Sequence, residues 1–149
     1  MNAVCNTIID VNERFEIDSK DNFIGISSFC FDLSVYDIFG SISVGATLVL
    51  IPDARDISYI VDTVTKENII VWNTVPAIME LLLDSLNDYY SNTSLKNVFL
   101  SGDWIPLDLK DKICDYFTNA RVMSLGGATE ASIWSIYTGI LYLIRLYMY

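Results

Sequence analysis

Residues 69–86 read IIVWNTVPAIMELLLDSL and contain the pattern that decides the fold. The stretch opens on a run of apolar residues, which predicts a buried strand over Ile69–Trp72. Apolar residues then recur at helical spacing from Pro76, a residue favoured at the first position of a helix, and Thr74 is the predicted cap. A strand followed directly by a helix is half of a βαβ unit.

The same alternation of short apolar runs and helix-period stretches extends along the chain in both directions. Strands are predicted at 22–27, 47–51, 97–101, 121–125 and 131–137, and helices at 3–15, from about 34, at 57–67 and from 106. Repeated βαβ units build a mainly parallel β-sheet flanked by helices on both faces, so we predict an α/β fold. Ligands of such sheets bind beyond the carboxyl ends of the strands. Functional residues are therefore expected in the loops after Ser27, Trp72, Ser101 and Leu125.

The composition excludes several classes of function. The net charge is −10 and the Lys and Arg residues are scattered singly, whereas nucleic-acid binding needs a clustered basic face. The chain has no histidine, which rules out Ser-His and Cys-His nucleophilic sites, HExxH zinc sites and imidazole acid–base catalysis. Any chemistry must therefore use carboxylates, hydroxyls, backbone amides and bound metal.

The cysteines predict neither disulfides nor a zinc site, because Cys5, Cys30 and Cys114 are far apart and form no CxxC pair. We expect buried or half-buried thiols in a reducing cytosol. The N-terminus lacks the pattern of a signal peptide, so a cytoplasmic protein is expected. The apolar run 133–149 is shorter than the ~20 residues of a membrane span and contains Arg145, which favours a buried strand over a membrane role.

The loops contain unusual arrangements of residues. Asp32 lies between the aromatic pair Phe29 and Phe31 and the first turn of a predicted helix, and is either an N-cap or the partner of a ligand cation such as an ammonium. Gly102 lets the backbone approach a flat ligand. Two glycines precede Thr129 and Glu130, a set that suits a phosphate held by backbone amides and a magnesium ion held by the carboxylate. GxxxxGK and GxGxxG nucleotide loops are absent from the sequence.

Four segments, in this order and spacing, resemble the central core of adenylation domains in nonribosomal peptide synthetases: FDLSVYDIFG (31–40), NTVPAIMELL (73–82), LKNVFLSGDWIP (95–106) and SLGGATEASIWSI (124–136). They are most similar to the branch that activates cysteine for thiazoline-type siderophores and related peptides. The resemblance implies that the fold is part of the large N-terminal subdomain of an adenylate-forming enzyme. Such enzymes make an aminoacyl adenylate from an amino acid and MgATP, then transfer the acyl group to the phosphopantetheine thiol of a carrier protein.

The resemblance also implies roles for individual residues of the amino-acid pocket. Asp32 would pair with the substrate α-ammonium. The wall that determines specificity would consist of Leu33, Tyr36, Asn73, Phe99, Ser101, Leu125, Ile133 and Trp134. This ordered set resembles the cysteine-selecting signature, and a small polar residue in a mostly apolar pocket suits a thiol substrate.

A second group of residues would bind ATP or AMP and Mg²⁺. Thr129 and Glu130 match the family's catalytic pair, a threonine on the phosphate and a glutamate on the metal. The residues expected along the nucleotide are Gly102, Asp103, Trp104, Ser124, Gly126 and Gly127. One position departs from the wider family, because Gly126 stands where an aromatic residue often stacks on adenine.

The resemblance covers residues 1–136 as a partial adenylation domain, whereas 137–149 form a divergent apolar tail. The family's phosphate loop and its C-terminal domain with a catalytic lysine are not among these residues. We therefore expect the chain to be inactive by itself and to self-associate through exposed strand edges and apolar helix faces. Two alternatives are a split enzyme completed by neighbouring chains, and a non-catalytic binding remnant. An acyl-CoA ligase is disfavoured, since acyl substrates have no ammonium to pair with Asp32.

Overall fold

The computed structural model describes residues 2–127 and 133–139 of the 149-residue chain. Helices α1–α5 cover Asn2–Arg14, Leu33–Val44, Ile57–Lys66, Pro76–Ser85 and Leu109–Tyr116. Strands β1–β6 cover Asn22–Gly25, Thr47–Leu50, Val71–Thr74, Asn97–Leu100, Arg121–Gly126 and Ile136–Gly139.

The strands form one sheet in the order β2-β1-β3-β4-β5-β6. Every pair from β2 to β5 is parallel, and β6 runs antiparallel to β5 at one edge. Strands β3 and β4 lie at the centre and are buried along their whole length, as expected for central strands of a sheet covered on both faces. The predicted α/β fold with a mainly parallel sheet is confirmed.

Helices cover both faces of this sheet. Alternate residues of a strand point to opposite faces, so Trp72 packs with α3, α4 and α5 while its neighbour Val71 packs with α1 and α2. The core on the α3–α5 face includes Ile60, Met79, Leu82, Val98, Ile113 and Phe117. The core on the α1–α2 face includes Val11, Phe15, Tyr36, Phe99, Leu125 and Trp134.

Local signals set two helix boundaries. Gly45 ends α2 in the left-handed conformation (φ 73°), and its amide donates to carbonyls of the last helical turn. The Asp56 carboxylate caps α3 by accepting a 3.0 Å hydrogen bond from the amide of Tyr59.

The structure corrects three boundary predictions. Thr74 is the last residue of β3 and does not cap α4: the N-cap is Val75, and the Thr74 hydroxyl instead accepts a 2.8 Å hydrogen bond from the Trp72 indole. Helix α5 begins at Leu109 and not at Pro106. The strand predicted over 131–137 corresponds to β6, which covers Ile136–Gly139, so the two ranges share only residues 136 and 137. Residues 131 and 132 lie outside the described part of the chain.

The cysteine prediction is wrong for two of three residues. Cys5 and Cys30 are exposed, whereas Cys114 is partly buried as expected. Cys5 lies on an uncovered face of α1, and Cys30 lies in the loop before α2, so neither contacts the core. In the part of the chain that the structure describes, no helix is long and apolar enough to cross a membrane.

An apolar groove of about 650 Å³ lies between α1 and α2 on the outer surface. Large side chains that a folded domain normally covers are open to solvent here: Ile42 is 66% exposed, Phe39 55% and Ile9 51%. Leu50 on the edge strand β2 is also exposed. These surfaces match the expected apolar helix faces and strand edge.

We expect the purified chain to self-associate through this groove, and Ile42→Lys to weaken the association at least fivefold. Ile42 is mostly exposed, so the charge disfavours burial between two copies without disturbing the core. Sedimentation velocity over a range of concentrations measures the effect. Tyr89→Lys is the matched control, since Tyr89 is 96% exposed on a distant loop. A chain that stays monomeric and melts sharply at every concentration contradicts the prediction.

Candidate functional site

A small cavity of about 50 Å³ lies at the carboxyl ends of the parallel strands, where the fold predicts a ligand site. The loop after β1, the loop after β4 and the end of β5 converge on it. Six residues predicted for the amino-acid pocket line it: Asp32, Leu33, Ser101, Leu125, Ile133 and Trp134. Three predicted nucleotide residues complete the lining: Gly102, Gly126 and Gly127.

The sheet register explains why these residues meet. Asn73 pairs with Phe99, and Phe99 pairs with Met123 on the next strand, so all three point to the same face. Ser101 and Leu125 follow two residues after Phe99 and Met123 and share that face. Four predicted pocket residues from three strands therefore lie side by side on the face that packs against α1 and α2.

Three predicted pocket residues do not line the cavity, because Tyr36, Asn73 and Phe99 are fully buried behind it. The Tyr36 ring lies 4.8 Å from the Trp134 ring and 5.9 Å from the Phe99 ring, measured between centroids. The centroids of the Phe99 and Trp134 rings are 6.1 Å apart, and the two ring planes meet at 61°. These edge-to-face contacts form a rigid aromatic wall that fixes the position of Trp134.

Hydrogen bonds hold the polar ends of this wall. The Trp134 indole donates to the Ser101 hydroxyl at 3.2 Å, which holds Ser101 against the aromatic wall. The Tyr36 hydroxyl donates to Asn12 Oδ1 at 2.9 Å, and the Asn12 amide nitrogen donates to the Gly40 carbonyl at 3.0 Å. Burial and the neighbouring Asp37 raise the pKa of Tyr36 well above its ordinary value, so this phenol stays protonated. Asn12 was not predicted from the sequence.

Asp32 occupies the N-cap position of α2, and its side chain is partly exposed at the cavity mouth. Its carboxylate makes no capping hydrogen bond to the described amides of α2. The Asp32 side chain therefore does not cap α2. Asp32 instead lines the cavity among mostly apolar residues.

Asn73 is held by α2 through its amide nitrogen. Asn73 Nδ2 donates to Asp37 Oδ1 at 2.8 Å and to the Leu33 carbonyl at 3.1 Å. Asp37 is buried on the inner face of α2, and this burial raises its pKa from 3.8 to about 7, partly offset by the Asn73 hydrogen bond. Asp37 was not predicted from the sequence, although its spacing from Leu33 and Tyr36 places it on the same helical face.

Comparison with known proteins identifies the family. The AMP-binding enzyme family matches residues 1–145. The chain belongs to the AMP-binding enzymes. It is 56% identical over 132 residues to bacitracin synthase 1 of Bacillus licheniformis, covering 89% of this chain and 2% of that protein. It is 41% identical over 138 residues to pyochelin synthetase PchF of Pseudomonas aeruginosa, covering 90% and 8% respectively.

A solved structure gives the same result. The nonribosomal peptide synthetase FmoA3 bound to AMPPNP superposes with a TM-score of 0.86 at 36% identity, over 93% of this chain and 15% of that one. Within the AMP-binding enzymes the chain is thus of the adenylation type found in nonribosomal peptide synthetases. It spans only a small part of the length of each relative.

The predicted nucleotide corner of this AMP-binding segment is built from backbone and glycine. Gly102 has a positive φ of 81°, and a Cβ at Gly127 would lie 2.8 Å from the Ser135 amide nitrogen, so neither position accommodates a larger residue. A Cβ at Gly126 would meet no described atom within 4 Å. Trp104, another residue predicted to lie along the nucleotide, is 68% exposed.

The residues predicted to contact phosphate and metal are not in the described part of the chain. Thr129 and Glu130 lie outside the described residues, and among those that are described no three acidic, cysteine or histidine side chains converge. Mg²⁺ in nucleotide sites commonly uses one or two carboxylates together with substrate phosphates.

Proposed function

We propose that this chain forms the amino-acid pocket of an adenylation domain. The domain would couple an amino acid to ATP: a substrate carboxylate oxygen attacks the α-phosphorus, the bond to pyrophosphate breaks, and an aminoacyl adenylate results. The observation that supports this best is the convergence of Asp32, Ser101 and Trp134 on one cavity beside a glycine-lined corner. Carrier-protein thioesterification would follow in the assembled synthetase.

Asp32 would bind the α-ammonium of the substrate. Asp32 lines the same cavity as Ser101 and Trp134, and a charge-assisted hydrogen bond from its carboxylate to an ammonium would fix where the substrate carboxylate points. Positioning is central here, because attack on phosphorus depends on alignment and charge neutralisation more than on proton transfer. The absence of histidine is compatible with such a mechanism.

The cavity suits a small substrate side chain, and we propose L-cysteine. Leu33, Leu125 and Ile133 provide apolar lining, while Ser101 provides one hydroxyl. The aromatic wall behind the cavity leaves no space for a large side chain, since its rings are already in contact. This combination agrees with the cysteine-selecting signature that the ordered pocket residues resemble.

ATP would lie along Gly102, Asp103 and Trp104, with Ser124, Gly126 and Gly127 on the other side. Thr129 would contact phosphate, and Glu130 would hold Mg²⁺, which neutralises charge at the reacting phosphate. The phosphate loop and the lysine domain of the family must come from outside these 149 residues. We therefore propose that turnover requires other segments, either of one long synthetase or of a split enzyme.

Amino-acid-dependent ATP–pyrophosphate exchange tests this proposal. We expect exchange with L-cysteine only when the chain is combined with polypeptides that contain the phosphate loop and the lysine domain. Robust exchange by the chain alone would show that the residues present suffice. If no combination exchanges pyrophosphate with any amino acid while the fold is intact by circular dichroism, the adenylation proposal is wrong. The alternative of a non-catalytic binding remnant is then favoured.

A further inference from the structure

Gly40 lies in the interior of α2, where a helix ordinarily favours a residue with a side chain. It is buried within this 12-residue helix, and its φ is not positive. Glycine at such a position is less stable than alanine, because it loses more backbone freedom on folding. No backbone conformation requires a glycine here, so the reason for it lies in the space around its Cα.

The ring of Tyr36, one helical turn earlier, occupies that space. A Cβ atom at position 40 would lie 2.9 Å from Tyr36 Cε2 and 3.1 Å from Tyr36 Cδ2. Carbon atoms that are not bonded pack best at about 3.5–4.0 Å. Any side chain at position 40 therefore requires the Tyr36 ring to move.

The Tyr36 ring is enclosed and cannot turn out into solvent. Tyr36 is 0% exposed, and its hydroxyl donates to Asn12 Oδ1 at 2.9 Å. The Asn12 amide nitrogen donates in turn to the Gly40 carbonyl at 3.0 Å. The hydroxyl end of the ring is thus held, through Asn12, to the same residue whose missing side chain makes room for the ring.

A displaced Tyr36 ring would press on Trp134. Its centroid lies 4.8 Å from that of Trp134, and 5.9 Å from those of Phe23 and Phe99. Phe23 and Phe99 belong to β1 and β4 and are held in the sheet register, whereas Trp134 lies outside the strands, before β6. Trp134 also lines the cavity and donates to Ser101, so its movement would narrow the cavity and alter that hydrogen bond.

We propose that Gly40 is a positioning residue for substrate selection, whose missing side chain lets the Tyr36 ring hold Trp134 where the cavity admits a small substrate side chain. Gly40 does not line the cavity, and it acts only through Tyr36 and Trp134. The inference rests on the proposed amino-acid pocket. It adds that α2 sets the upper limit on substrate size from behind the aromatic wall.

The test compares L-cysteine with free glycine, which has the same ammonium and carboxylate but no side chain. Dissociation constants are measured by calorimetry, under reducing conditions, for the full chain and its variants. We expect a preference for cysteine of at least roughly tenfold in the unsubstituted chain. Gly40→Ala should reduce this preference about fivefold or more, and should change the affinity for free glycine less than about twofold.

Two further variants separate this contact from a general effect of alanine. Gly25→Ala is the matched control, because its Cβ would also lie 2.9 Å from a side-chain carbon, Leu50 Cδ2, but Leu50 is 52% exposed on the edge strand and can move. The cysteine preference should stay unchanged in Gly25→Ala. Gly40→Ala should also leave the preference unchanged in a Tyr36→Leu background, where no ring remains to be displaced.

A nuclear magnetic resonance measurement provides a readout independent of binding. The indole N–H resonance of Trp134 should shift in Gly40→Ala and stay in place in Gly25→Ala. The inference is overturned if Gly40→Ala leaves that resonance or the cysteine preference unchanged, or alters the preference equally in the Tyr36→Leu background. A Gly40→Ala chain that no longer folds would also overturn it, because Gly40 would then be needed for the fold and not for selection. If the unsubstituted chain binds neither amino acid, the proposed function itself fails.

Discussion

Asp37→Asn should raise the melting temperature of the chain by roughly 10 °C at pH 8 and leave it almost unchanged at pH 4. Asp37 titrates at about 7 in the folded chain because of its burial, against an ordinary value of 3.8. Between these values the folded state binds more protons than the unfolded state. The free energy of unfolding therefore falls as pH rises from about 4 to 7, by on the order of 4 kcal/mol.

Asparagine at position 37 removes this fall in the free energy of unfolding, because its side chain is neutral throughout the range from about pH 4 to pH 7. The chain has no histidine to titrate near neutral pH, and the pKa of the adjacent Tyr36 is raised still further from neutrality. Melting curves are recorded at a concentration below the onset of self-association. Asp88→Asn is the matched control, because it removes the same charge from an exposed position. If the two variants change the melting temperature equally, or if the change in Asp37→Asn does not depend on pH, then burial does not raise the pKa of Asp37 as stated.

The second large effect concerns Asp32. We expect Asp32→Ala to weaken L-cysteine binding by about 100-fold. This loss corresponds to roughly 3 kcal/mol, the upper end of the range measured for hydrogen bonds to charged groups. The affinity for 3-mercaptopropionate, which has the thiol and carboxylate but no ammonium, should change less than twofold. Calorimetric titration of both ligands separates loss of the ion pair from general damage to the pocket.

Asp18→Ala controls for the loss of a negative charge elsewhere, since Asp18 lies exposed in the turn between α1 and β1. An equal loss of affinity for both ligands in Asp32→Ala would mean that the carboxylate supports the pocket without contacting the ammonium. Unchanged cysteine affinity would refute its role altogether.

The order of elements and the face of each central strand could be predicted because the relevant signals are local. Val71 and Trp72 alternate between the two cores, as a period of two requires, and Asp56 and Gly45 act as boundaries through their own chemistry. The convergence of three loops on one cavity also follows from topology, since carboxyl ends of parallel strands share one edge.

Other features depend on partners that are distant in sequence. Thr74 has the residue type of a helix cap, yet the Trp72 indole uses its hydroxyl. The place of Tyr36 in the aromatic wall depends on its hydrogen bond to Asn12, which lies on another helix. Asp37 has the residue type of a solvent-exposed helix position, and only the packing of α2 on β3 shows that it is buried against Asn73.

Titration of the full chain with amino acids, followed by calorimetry, tests the central claim most directly. We expect saturable one-to-one binding, with L-cysteine preferred over L-2-aminobutyrate, L-leucine and L-phenylalanine. Absence of saturable binding by any amino acid, in a sample whose α/β fold is verified by circular dichroism, would contradict the assignment of this cavity as an amino-acid pocket.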